Sequence, residues 1–335
     1  MDLSTNWLGL RLAHPLIPGA SPLVDDLSSV DRLAAGGAAA ITMHSLFEEQ
    51  IEGDRLARER WHDVHADSHA EAASYLPAAE LYALGPEEYL EQIARIRRRV
   101  DVPVIASLNG TTPGAWLRYA RSMEEAGASA IELNLYDLAT DPDVGAAEVE
   151  GRALEVVRSV CGSVAIPVGV KLSPFHTSLP SFARELGRAG ARGVVLFNRF
   201  YQPDIDVEAL EVARTLRLSD PSELNLRLRW LAVLSGRLDL SLAASGGVHS
   251  GLDAVKAVMA GAHCVQLVSA LLRHGPERLA HVLAELRGWM EQHEYESVAQ
   301  MRGSMDLSRC PDPRAFERAN YVHVLQGWRP ERPPA

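Results

Sequence analysis

Cysteine is scarce in this chain: three occur among 335 residues, Cys161, Cys264 and Cys310. Thiols so few and so scattered build neither a disulfide framework nor an iron–sulfur cluster, and the first two read as buried free thiols. Positive charge is short as well, with 33 Lys and Arg against 44 Asp and Glu and a formal charge of -11. Nucleic-acid binding needs basic surface, so that class is excluded, whereas an anionic small ligand held by local groups is not. Long apolar runs are missing: none approaches the ~20 residues that cross a bilayer. The opening MDLSTNWLGLRLAH lacks the basic region and apolar core of a signal peptide. The expectation is a cytoplasmic protein with no membrane partner.

What is present is ample apolar material, 47% of residues, with an ordinary 23% charged. A small Ala/Gly turn followed by an apolar run recurs at AAGGAAAITMHS (34–45), EAGASAIELNL (125–135), RAGARGVVLFN (188–198) and MAGAHCVQLVS (259–269). Glycine just past a helix end terminates the helix, and a strand follows. The runs are continuously apolar, as in strands of a parallel sheet covered on both faces. PLIPGAS (15–21), PVIASLN (103–109), PVGVKLS (167–173) and LSLAASGG (240–247) bring the strands to eight. Helical stretches are expected near 86–99, 113–126, 147–160, 179–189, 222–236, 251–260 and 276–292.

This alternation predicts an α/β fold, a (β/α)8 TIM barrel. The competing doubly wound sheet lacks its GxGxxG turn, because the first strand ends in Gly19, Ala20, Ser21 and Pro22. A long polar loop insertion over 46–85 follows strand 2, and a Pro-rich extension over 296–335 closes the chain. No linker divides it, so residues 1–335 read as a single domain. Within the insertion, His62, His65 and His69 have helical spacing, but Glu59 and Asp63 are ordinary surface residues. A solvated face is the reading there, and no metal is expected.

In such barrels the reacting groups lie where strands end. Those ends carry Ser21, His44, Ser45, Asn109, Asn134, Lys171, Asn198, Ser245, Gly246, Gly247 and Ser269. One Asn could merely cap a turn; three Asn, a Lys and a Gly-Gly pair at successive ends point to a ligand. Lys171, in GVKLSP, is costly to bury unless its charge has a partner. That partner is an anionic ligand or a barrel carboxylate such as Glu132, and a third possibility is an imine-forming lysine. ASGGVHSG (244–251) before an apolar helix resembles a phosphate cradle, with backbone N–H groups at the helix start directed to the anion. His176, after KLSPF, touches a ligand or lines the rim.

Taken together, DLSTNWLGLRLAHPLIPGAS, ELNLYD, GVKLSPF, the ASGG turn, VQLVSALLRHGP and ESVAQMRG resemble the dihydroorotate dehydrogenase family of FMN-dependent barrels, over residues 2 to 303. LFEEQI (46–51) and LFNRFYQPDID (196–206) resemble a divergent bacterial branch. The resemblance implies FMN as cofactor, contacted by Ala20, Ser21, His44, Asn109, Asn134, Lys171, Ser245, Gly246, Gly247 and Ser269. It implies substrate contacts from Asn134 and Asn198, and a Lys171 that stabilises the reduced flavin. It also implies a place in pyrimidine biosynthesis.

The departures are specific. His44 stands where the family has a lysine, and Asn134-Leu135-Tyr136-Asp137 replaces the loop that carries the family's cysteine or serine base. Asp137, with Tyr136 beside it, is then the expected base. The expected activity is oxidation of a small cyclic or CH–CH substrate, dihydroorotate foremost, by base-assisted hydride transfer to flavin. Two alternatives are a non-redox lyase or isomerase that uses Lys171, and a flavin-binding accessory protein without that activity. The expected partners are a small-molecule substrate and an electron acceptor that the sequence does not identify, with pairing as a homodimer.

Overall fold

The computed structural model describes residues 1–47, 50, 84–110, 116–199, 202–213, 216–318, 320–327 and 329. Eight strands form one parallel sheet: β1 (Leu16–Pro18), β2 (Ile41–Phe47), β3 (Val104–Asn109), β4 (Ala130–Asn134), β5 (Val168–Leu172), β6 (Gly193–Leu196), β7 (Ser241–Ser245) and β8 (Cys264–Leu267). The ladder runs β1-β8-β7-β6-β5-β4-β3-β2. The N–H of Ala39, just before β2, donates to the Leu16 carbonyl of β1 at 3.3 Å and brings the two ends together. The fold is the TIM barrel that the repeats predict. Every residue of β3, β4, β5 and β6 is buried, which is why these runs are apolar without alternation.

Helices separate the strands: α1 (Leu27–Ala35), α2 (Pro86–Arg97), α3 (Trp116–Glu125), α4 (Ala146–Ser163), α5 (Leu179–Arg188), α6 (Leu224–Leu234), α7 (Gly251–Met259) and α8 (Arg278–Gln292). The seven expected from sequence are present, with ends moved by no more than three residues. The insertion expected over 46–85 falls almost entirely outside the described residues, and with it His62, His65 and His69. Its two ends lie together: Gln50 accepts the Phe47 N–H at 2.8 Å and donates to the Leu84 carbonyl at 3.3 Å. The 296–335 extension wraps back onto the barrel, where the Leu307 N–H reaches the Ala232 carbonyl at 3.0 Å and Phe316 packs against the core.

The barrel interior is layered. An antiparallel hairpin, Thr5–Trp7 with Leu10–Leu12, closes the floor. Its two-residue turn, Leu8–Gly9, has φ of 57° and 86°, the primed geometry that follows strand twist. Leu8 rises into the barrel against β5 and β6. A Cβ at Gly169 or Gly193 would come within 3.0 or 2.8 Å of its Cδ2, so those strand positions have no room for a side chain. Trp7, Leu8, Ile17, Ile105, Ala130, Val195, Ala243 and Cys264 form this dry lower layer. The Cys264 thiol is pushed well up by burial, as befits an inert core residue. Above it the inward positions change character. Ala130 gives way to Glu132 and then Asn134 along β4, and Cys264 gives way to Gln266 along β8.

Candidate active site

Register sets the geometry of the mouth. Asn109 on β3 pairs with Asn134 on β4, and Asn134 pairs with Lys171 on β5, so three polar residues share one row. Asn198, just past β6, donates to Asn134 Oδ1 at 3.0 Å. Ala20, Ser21, His44, Asn109, Asn134, Tyr136, Lys171 and Asn198 all line one cavity of about 690 Å³ at the C-terminal end of the barrel. Pro22, Asp25, Ser45, Phe47, Gln50, Arg199 and Leu216 complete its described wall. A larger hollow of about 1,050 Å³ lies at the opposite end, against the floor hairpin and the strand starts. The polar strand ends are absent from its lining, and barrels of this kind react at the other face.

Lys171 is 5% exposed, and its ammonium is already partnered. Nζ lies 3.2 Å from Glu132 Oε1 and 3.3 Å from Gln266 Oε1, while the Gln266 amide donates to the second Glu132 oxygen. Of the three partners open from sequence, the carboxylate is the one the described residues provide. The burial of Lys171 is therefore satisfied within the barrel, although its side chain also lines the cavity. Addition to a carbonyl would require the Lys171 amine to be drawn away from its contact with Glu132.

Asp137 does not join the row. It lines a neighbouring cleft of about 450 Å³, 3.8 Å from Arg152, with its side chain 41% exposed. His176 lines that same cleft, stacked on Phe182 at 4.5 Å, and burial lowers its pKa. Tyr136 stays on the cavity wall.

The Gly-Gly turn lies outside the described lining of the cavity. Gly246 and Gly247 have φ of 95° and 80°, and a Cβ on Gly247 would come within 2.4 Å of the Leu224 nitrogen at the start of α6. Glycine is thus required by packing alone, whatever binds nearby. The Gly247 N–H meets the Ser219 hydroxyl at 3.2 Å, and Ser219 in turn meets Ser269 Oγ at 2.8 Å. Ser245 is held through its carbonyl by Arg227 Nε at 2.9 Å. The start of α7 is not the donor that the sequence suggests. The N–H groups of His249 and Ser250 go to Asp253, and that of Gly251 goes to Glu285, so two acidic side chains already cap it.

Sequence reasoning missed Asp25, Arg199, Ser219 and Gln266. Gln266 carried the same signal as Lys171, a polar residue inside an apolar run. The others sit on connecting segments, where no periodicity marks them.

The donor set fits a flavin. Amides can face a heterocycle's edge, the Ser21 hydroxyl is buried in the wall without a hydrogen-bond partner among the described residues, and the Gly247 N–H is a backbone donor that a side-chain oxygen, Ser219 Oγ, meets. Comparison with known proteins gives the family. The family model for dihydroorotate dehydrogenase matches residues 2–290. A Thermoplasma acidophilum protein named dihydroorotate dehydrogenase B (NAD(+)), catalytic subunit, is 27% identical over 316 residues, covering 90% of this chain and 98% of that protein. Proteins of the same name from Methanocaldococcus jannaschii and Geobacter sp. are 26% identical over 305 residues and 30% identical over 245, covering 87% and 69% of this chain and 94% and 77% of those proteins. The chain belongs to the dihydroorotate dehydrogenase family.

Proposed function

We propose that this protein is an FMN-dependent oxidoreductase acting on a small cyclic CH–CH substrate, with dihydroorotate the first candidate. The observation that carries the reading is the row Asn109, Asn134 and Lys171, joined by Asn198 in one cavity at the mouth of the barrel. Bound there, the flavin would supply the acceptor for a hydride. Ala20, Ser21, Asn109 and Lys171 would hold its ring, and Ser245, Gly246, Gly247 and Ser269 its phosphate, with Ser219 exchanging its hydroxyl contacts for the anion. Asn134 and Asn198, already hydrogen-bonded to each other, would orient the substrate through their remaining amide groups.

Lys171 would supply a cation to the bound flavin. Glu132 and Gln266 hold its ammonium in place, so negative charge developing on the cofactor would be met with little reorganisation. With Asp137 turned to the neighbouring cleft, Asp25, His44 and Tyr136 are the described wall residues that can take a proton. The relatives' names, as catalytic subunits, support an electron-accepting partner polypeptide. The hairpin Asp204–Asp206 with Glu211–Ala213 has Ile205, Leu210 and Val212 strongly exposed, and this supports burial in an assembly.

The test is direct. Protein titrated with FMN should quench flavin fluorescence with saturation at one equivalent, and anaerobic dihydroorotate should bleach the bound flavin. A protein that binds no flavin would overturn the reading; one that binds it but is not bleached would move the substrate elsewhere.

A further inference from the structure

Beside Lys171, on the side where β1 meets β2, an imidazole faces a carboxylate. Asp25 follows the single turn Pro22–Val24, which Gln92 of α2 clamps by donating to the carbonyls of Val24 and Asp25 at 2.9 and 3.1 Å. His44 sits in a bulge. The β2–β3 register passes from Thr42↔Ile105 to Ser45↔Ser107, so β2 carries one extra residue between them. A bulge takes a side chain off the regular alternation and is a common device beside active sites. It also frees the His44 carbonyl from the ladder, where the Tyr89 hydroxyl donates to it at 2.9 Å. The Tyr89 ring meets the imidazole edge-on, with centroids 4.9 Å apart. Backbone and ring are thus both held.

His44 Nδ1 lies 2.5 Å from Asp25 Oδ1. The contact is one of proximity and not of hydrogen-bond geometry, and neither atom has a hydrogen-bond partner among the described residues, so each is left facing the other. Both side chains line the cavity and are 16% and 19% exposed. The charged and titratable groups around them in that wall are Lys171, Arg199 and Tyr136, with Tyr89 behind the ring.

We infer that His44 takes the substrate proton and that Asp25 positions it. The inference rests on the flavin oxidoreductase reading of this cavity. Asp25 accepts the Nδ1–H, which fixes the tautomer and leaves the Nε2 lone pair for the cavity. In the oxidation of a CH–CH unit, one carbon gives up hydrogen with its bonding pair, as hydride, to the flavin oxidant. The adjacent carbon gives up a proton to Nε2, and its C–H pair becomes the new C=C bond. The substrate loses two hydrogens in all, and the imidazolium formed is neutralised by Asp25. This assigns to the β1–β2 side of the mouth the proton-transfer duty that Asp137, outside the cavity, does not perform.

The experiment has two arms on the purified full-length protein loaded with FMN. Nitrogen-15 histidine NMR, with His44 identified by its loss in His44→Gln, should report the Nδ1–H tautomer with a bare Nε2. Asp25→Ala, which removes the acceptor facing Nδ1, should raise the share of the Nε2–H tautomer. An Nε2–H tautomer in the wild type, or a tautomer unmoved by Asp25→Ala, would overturn the inference without reference to activity. In the second arm, flavin bleaching by dihydroorotate is compared between wild type and variants of His44. It should slow about 100-fold or more in His44→Gln, the usual scale of general-base catalysis. His44→Lys, which places an ammonium there, should not restore it. Bound flavin that is bleached at the wild-type rate in His44→Gln, or at a restored rate in His44→Lys, defeats the role of His44 while the oxidoreductase reading stands. Absence of flavin binding defeats that reading instead. If wild-type protein binds flavin but dihydroorotate does not bleach it, the NMR arm alone decides.

Discussion

Replacing Lys171 by Met removes one partner from a buried ion pair and leaves Glu132, 2% exposed, with only the Gln266 amide for company. Breaking such a pair from one side costs about 3–5 kcal/mol, because the remaining charge stays desolvated and unmatched. Native domains are stable by only about 5–15 kcal/mol, so the single substitution should move the urea midpoint far toward zero. Removing both charges is a different perturbation. Lys171→Met with Glu132→Gln leaves two amides that can bond each other, and its stability should return to within about 1 kcal/mol of wild type. Midpoints and slopes for the wild type, both singles and the double complete the cycle. A single that loses less than about 1 kcal/mol, or a double as unstable as the sum of its singles, would refute the buried-pair argument. The same double is the proper vehicle for function, since flavin reduction can be read in a folded protein. Arginine should not substitute. The chain has 33 cationic residues, of which only Lys171 and Lys256 are lysines. A planar guanidinium cannot replace a compact ammonium between Glu132 and Gln266 without repacking the layer.

Further outcomes follow from the same geometry. Gly247→Ala places a methyl group 2.4 Å from the Leu224 nitrogen at φ +80°, and it should cost about 2–3 kcal/mol in urea unfolding and weaken FMN binding. Wild-type stability with unchanged flavin affinity would count against the turn. Asp137→Asn should change flavin reduction by dihydroorotate less than about threefold, because its side chain lies in a different cleft. Loss of the reaction would return the proton-transfer duty to Asp137. Two histidines make the fold acid-sensitive. Burial, with Arg302 nearby, pushes His263 down to about 4, and its Nδ1 accepts the Leu242 N–H at 3.1 Å; burial likewise lowers His14, whose Nδ1 accepts the Leu16 N–H at 3.2 Å. Each binds a proton less readily folded than unfolded. The stability of the neutral ring is therefore complete above the unfolded pKa near 6.5 and is lost as pH falls from there toward 4. At pH 5, His263 alone should cost on the order of 2 kcal/mol, and His263→Gln should flatten the fall in melting temperature below pH 6. An unchanged slope would remove His263 from the account.

The sequence by itself determined the barrel. Strands buried on both faces must be continuously apolar, helices must end in small turns before them, and eight such units leave little choice of architecture. It also determined most of the cavity wall, because Asn109, Asn134 and Lys171 each interrupt or end an apolar run at the one place where a buried strand meets the ligand face. Periodicity reports on one element at a time, and what it could not reach are the relations between elements. Closure of the ladder brings Lys171 to Gln266, 95 positions away, and Gln266 to Glu132, 134 positions away. The sequence left Lys171 open between an outside anion and a barrel carboxylate such as Glu132, and the wall supplies the carboxylate. An extra residue in β2 brings His44 to Asp25, and the course of the segment after β4 carries Asp137 away from the row. These outcomes depend on register, bulge and loop path, and only the tertiary structure decides them, because each is the meeting of side chains whose positions along the chain carry no common signal.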